Sequence, residues 1–97
     1  MRLEFHKHVH SDIGRIMDYY EGVAGRQLAE EFYAELKLYF QKAAQSPQSY
    51  SIRKNDLRRV NLGTFPYHFF FRVIDDRVRI LVVRHHKRRP QIKLGRR

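Results

Sequence analysis

Arginine and histidine recur through the second half of this sequence at the two-residue spacing of a β-strand. Arg59, His68, Arg72, Arg79 and His85 are the members that neighbouring strands would gather on one surface, and Lys87-Arg88-Arg89 follow directly. If Asp75-Asp76 is the loop of a hairpin, Arg72 faces Arg79, Phe70 faces Leu81, and His68 faces Val83 with His85 one step diagonal. Two guanidiniums set opposite each other repel. They make sense beside an anion, because their forks fit phosphate and carboxylate. His68 and His85, on the same face as Arg59, would extend that anion-facing surface. Phe70, on the same face, would be available to stack on a base. The reverse face matches Val73 with Val78, Phe71 with Ile80 and Phe69 with Val82, all apolar, and a slip of one residue would mix the two faces.

The charge distribution points the same way. The chain has 97 residues and carries a formal charge of +10. Residues 1–52 hold six basic and seven acidic side chains, whereas residues 53–97 hold fourteen and three. After Asp76 there are nine basic side chains and no acidic one. Such asymmetry calls for an anionic partner. A membrane surface is the poorest candidate, since the basic half reads as strand rather than amphipathic helix.

The elements that must carry these residues follow from periodicity. Leu3 and Phe5 alternate with Glu4 and His6 in a short strand over 2–7. Val9, Ile13, Ile16, Met17 and Tyr20 form one stripe of a helix, ending near Gly22 where two glycines fall within four residues. Leu28, Phe32, Leu36, Tyr39, Phe40 and Ala43 form the stripe of a second helix over Arg26–Gln45, stopped by Ser46-Pro47. Strands are expected at Leu57–Leu62, Tyr67–Ile74 and Val78–His85. The fold class is α+β: an N-terminal helical hairpin packed on a small, mainly antiparallel β-sheet. It makes a single domain over 1–97, with a basic C-terminal tail at 87–97.

Several chemistries drop out. With no Cys there is no disulfide scaffold, thiol nucleophile or Cys-based zinc site, which fits a reducing cytoplasm. His6, His8 and His10 alternate, but His8 and His10 fall at the start of a helix and no acidic pair completes a set, so no metal is expected. No phosphate loop, nucleophile elbow or dinucleotide fingerprint is present, so no cofactor is expected. No apolar run is long enough to span a bilayer, and the chain reads as a soluble cytoplasmic protein with no membrane partner.

The opening "VHSDIGRIMDYY", the "SPQSY" stop and the stretch "LRRVNLGTFPYHFFFRVIDDRVRILVVRHHKRRP" together resemble the RelE/ParE superfamily of toxins from type II toxin–antitoxin systems, over about Leu3 to Leu94. The resemblance implies two helices against an antiparallel sheet, and a small acidic antitoxin as cognate partner. It also implies one of two targets. RelE-like members cut mRNA on the ribosome without a metal, and ParE-like members poison DNA gyrase.

For a ribonuclease, Arg59 matches a basic catalytic position, and His68 stands where a phosphate-contacting Arg is usual. Arg88 matches a basic position after the last main strand, and His85 would be the acid/base. No Tyr follows Tyr67, so the C-terminal Tyr of RelE-like enzymes has no counterpart. This tilts the expectation toward a gyrase-directed, ParE-like inhibitor, with Arg72, Arg79, Arg84, Lys87 and Arg89 contacting nucleic acid or antitoxin.

Overall fold

The computed structural model describes residues 1–87 and 95–97. Strand β1 (Arg2–Phe5) leads into α1 (Val9–Ala24) and α2 (Arg26–Gln45), and a 3-10 turn at Pro47–Ser49 precedes β2 (Ile52–Lys54), β3 (Leu57–Asn61), β4 (Tyr67–Ile74) and β5 (Arg77–His85). The sheet order is β1-β5-β4-β3-β2. β1 runs parallel to β5 and every other pairing is antiparallel.

The first helix runs past Gly22 and breaks at Gly25, where φ is 96°. Gly22 costs a helix only about 1 kcal/mol relative to Ala, which packing of the apolar stripe outweighs. At Gly25 the chain adopts a left-handed φ that a side chain would resist, so a single residue separates the two helices. The second helix spans the expected residues. Its Phe32, Leu36, Phe40 and Ala43 lie buried against Val60, Phe69, Phe71, Val78 and Ile80 of the sheet. The Phe40 and Phe69 rings meet edge to face at 4.8 Å. Each such aromatic, fully buried, stabilises the fold by about 1.5–3 kcal/mol.

Two pieces lie outside the expected pattern. β2 is a three-residue edge strand returned by Asn55-Asp56, both at positive φ (50° and 61°), as a two-residue turn of the primed kind requires. β1 is shorter than 2–7 and lines up with the first half of β5 alone, Leu3 opposite Val78 and Phe5 opposite Ile80.

The β4–β5 hairpin decides which residues meet. Around the Asp75-Asp76 loop the register is the expected one: Val73 opposite Val78, Arg72 opposite Arg79, Phe71 opposite Ile80. Between Phe70 and Phe71 it shifts by one residue. Leu81 is the extra residue, a β-bulge, so Phe70 faces Val82, Phe69 faces Val83, His68 faces Arg84 and Tyr67 faces His85. The expected pairs Phe70–Leu81, Phe69–Val82 and His68–Val83 are therefore replaced. Beyond the bulge every β5 side chain has changed faces.

Candidate functional site

The sheet face turned away from the helices carries the basic side chains. Arg59 lies opposite Phe70, and Asn61 opposite His68, so β3 joins this face as expected. The bulge brings Arg84, not His85, across from His68. His85 turns to the helix side, where its ring meets Tyr67 edge on at 5.0 Å. There it lines a cleft of about 190 Å³ with Asp12, Tyr19 and Tyr67. The expected diagonal pair of His68 and His85 does not exist, because one inserted residue inverts the alternation.

His86 takes that place. Its ring stacks on His68 at 5.2 Å with 7° between the planes, and the two Nδ1 atoms are 3.0 Å apart. The donors fix the tautomers. Arg84 Nε donates to His68 Nε2 at 3.1 Å, so that nitrogen accepts and His68 carries its hydrogen on Nδ1. His68 Nδ1 then donates to His86 Nδ1, which also lies 3.4 Å from Arg59 Nη2. Both nitrogens of His68 are spent. His68 is 2% exposed, and burial, reinforced by the charges of Arg59, Arg84 and His86, lowers its pKa to about 3. It stays neutral at physiological pH and trades no proton. Desolvation against the sheet, then Arg59 and His85, also lower His86 below its ordinary value.

The surrounding parts hold this arrangement. Arg84 is 8% exposed and lies over the Phe70 ring at 4.9 Å, so neither Arg84 nor the covered face of Phe70 is open to a base. Arg59 gives its Nε hydrogen to Asn61 Oδ1 at 2.8 Å, which sets the direction of its fork. His86 is tied through its backbone N–H to Pro66 O at 3.0 Å. The turn bearing Pro66 is in turn fastened to α2, where Glu35 Oε2 accepts the N–H groups of Thr64 at 2.9 Å and Phe65 at 3.2 Å. Desolvation raises the Glu35 pKa, but those hydrogen bonds outweigh it and hold the carboxyl below its usual value.

Arg72 and Arg79 do face each other, but the chain supplies their anions. Glu4 on β1 bridges Arg77 at 2.6 Å and Arg79 at 2.7 Å. Asp56 lies 3.1 Å from Arg72 Nε at ion-pair distance, though not aligned as a hydrogen bond. The motive for an outside anion at this pair is thus met internally. Lys87 is exposed, and its N–H donates to His85 Nδ1 at 3.0 Å. Arg88 and Arg89 lie outside the described residues.

The end of the basic tail is not a solvated cluster. Arg96 forks onto Asp12 of α1 at 2.6 and 3.1 Å and donates to Leu81 O at the bulge, while Arg79 Nε donates to Arg97 O at 2.9 Å. Asp12, 2% exposed, also accepts the Val83 N–H at 3.1 Å. Together Asp12 and Arg96 satisfy the N–H and C=O that β5 presents where β1 has ended. Sequence reasoning missed His86, Asn61 and this Asp12–Arg96 pair. Only the adjacent His85-His86 gave any signal, since a bulge anywhere in Leu81-Val82-Val83 exchanges their roles.

The model of the ParE toxin of type II toxin–antitoxin systems (parDE) matches residues 3–90. The chain belongs to the ParE toxin family. Among solved structures, this ParE-family chain is similar to a chain of the chromosomal ParDE toxin–antitoxin system from P. aeruginosa, at 20% identity and a TM-score of 0.79 over 88% of this chain and 95% of that one. It is also similar to a chain of the intact E. coli RelBE toxin–antitoxin complex, at 20% identity and TM-score 0.60 over 90% and 98% of the two chains. The isolated E. coli RelE toxin matches at 19% identity and TM-score 0.60 over 92% and 87%. These likenesses establish the α+β toxin fold. No curated protein sequence matches. Among the described residues no helix is long and apolar enough to cross a membrane.

Proposed function

We propose that this ParE-family toxin arrests growth by holding DNA gyrase rather than by cutting mRNA, and that a cognate acidic antitoxin silences it. One observation carries the choice between the two modes. A metal-independent ribonuclease needs a base for the 2′-hydroxyl and an acid for the leaving oxygen beside its arginines. Here His85 stands on the far side of the sheet from Arg59, and His68 spends both nitrogens on Arg84 and His86. Membership of the ParE family, whose resemblance implies a gyrase-directed inhibitor, supports that target. The excess of basic over acidic side chains in residues 53–97 supports an acidic antitoxin, with the exposed Lys87 as its candidate contact.

A second reading rests on His86. It is exposed, 3.4 Å from Arg59 Nη2, and would be the one proton carrier on the basic face. Inducible expression separates the two. The inhibitor reading expects gyrase-dependent DNA breaks with intact mRNA, and growth arrest that survives His86→Gln. Cuts in mRNA on translating ribosomes that vanish in His86→Gln would overturn it in favour of the ribonuclease.

A further inference from the structure

The charges on the open sheet face are balanced at one end and not at the other. Arg72, Arg77 and Arg79 each have a carboxylate from Asp56 or Glu4. None of the ion pairs among the described residues involves Arg53, Arg59 or His86. Yet Arg59 is crowded from both sides. Arg59 lies 3.4 Å from His86, and Arg53 from the edge strand β2 adds its like charge to Arg59. Like charges gathered without a counter-ion are costly, and an arriving anion removes that cost.

The donors are also aimed. Asn61 takes the Nε hydrogen of Arg59, which fixes the fork and leaves its Nη edge toward His86. His86 Nδ1 accepts from His68, so in the neutral ring the hydrogen sits on Nε2, a second donor. Two fixed donors and a neighbouring cation suit a phosphate oxygen. We propose that Arg53, Arg59 and His86 form a seat for a backbone phosphate of duplex DNA, which is gripped and not cleaved. The inference rests on the gyrase reading for its occupant alone. Duplex is favoured over single strand because Arg84 covers Phe70, the one aromatic of β4 on this face, and so removes the stacking platform that unpaired bases use. What remains contacts backbone and carries no sequence preference.

The test measures toxin binding to a short duplex DNA, and to single-stranded RNA of the same sequence, by fluorescence anisotropy over a range of salt. Each phosphate neutralised contributes about 0.9 to the slope of log affinity against log salt. Arg53→Gln/Arg59→Gln should lower that slope by about 1, the one phosphate contact it removes. Arg59→Lys, which keeps the charge, should retain it. Arg26→Gln/Lys37→Gln, which removes two charges from α2, should leave the slope as it was. Retained antitoxin binding shows that each variant is folded. An equal fall in both double variants, an unchanged slope in the first, or tighter binding to RNA than to the duplex would overturn the seat. Gyrase-dependent breaks are scored in parallel. Seat-dependent DNA binding without such breaks removes gyrase and leaves the seat standing, whereas breaks with a slope indifferent to Arg53 and Arg59 remove the seat alone.

Discussion

Replacing Asp12 with Ala should be among the most damaging single changes in this chain. The carboxylate is 2% exposed and receives four hydrogen bonds, from Arg15, from the Val83 N–H and from both ends of the Arg96 fork. Its removal strands a buried backbone N–H, which costs about 1–3 kcal/mol, and leaves Arg96 pointing into a site built for an anion. Breaking a fully buried pair costs about 3–5 kcal/mol. Arg96 is 22% exposed and partly rehydrates, so a loss of about 3 kcal/mol is expected. For a domain of this length that lowers Tm by about 12–24 °C. Urea unfolding measures it as a fall in midpoint with m unchanged. Asp12→Asn, which keeps an acceptor for Val83, should lose less. Arg96→Ala should lose about 1–2 kcal/mol, and the double variant should fall short of the sum of the singles by at least ~0.5 kcal/mol. Strict additivity of Asp12→Ala and Arg96→Ala would refute the reasoning, since it would mean that the fork onto Asp12 contributes nothing in solution.

Stability should fall as the medium is acidified, because His68 titrates near pH 3 when folded and near 6.5 when unfolded. Between those values the unfolded chain binds the extra proton, so stability is full above pH 6.5 and drops by up to ~1.4 kcal/mol per pH unit below it. A His68→Asn protein should lose much of that slope between pH 6.5 and 5, and identical slopes would count against the assignment. Glu35→Ala removes two charge-assisted hydrogen bonds from the β3–β4 turn. It should cost about 1–3 kcal/mol and speed hydrogen exchange at Thr64 and Phe65, and unchanged exchange would speak against the anchor. His85→Gln should leave growth arrest in place, since that ring faces Tyr67 and the helices. A folded, antitoxin-binding His85→Gln protein that no longer arrests growth would contradict the inhibitor reading.

The legible parts of the fold are those where only one arrangement satisfies the apolar residues. The stripes of α1 and α2 have no competing face, and Val73–Val78 and Phe71–Ile80 lock the hairpin near its loop. Leu81-Val82-Val83 has no such discrimination. Leu81, Val82 and Val83 can each fill the helix-side face, so they do not reveal the bulge; its one mark was Arg84, which an unbroken alternation would have turned beneath the helices opposite Tyr67. The Asp12–Arg96 pair was hidden for another reason. An Asp in the first turn of a helix is already explained by the macrodipole, and nothing local points to a partner 84 residues away. Arg59 was legible because β3 pairs with β4 without irregularity.

The bulge at Leu81 also governs how relatives of this chain compare. Position along β5 is not position in space once the alternation has been reset. A relative with no extra residue at this point would keep the same pairing one position earlier in its sequence, so an ungapped alignment would set His85 here against residues whose surroundings match those of His86. Closing the bulge with every residue kept would exchange the two histidines wholesale and carry Arg84 inward to face Tyr67, whereas loss of the extra residue would leave His68 opposite Arg84 and Tyr67 opposite His85. One shift of register thus trades one outer surface for another, with no change to the amino acids that compose it.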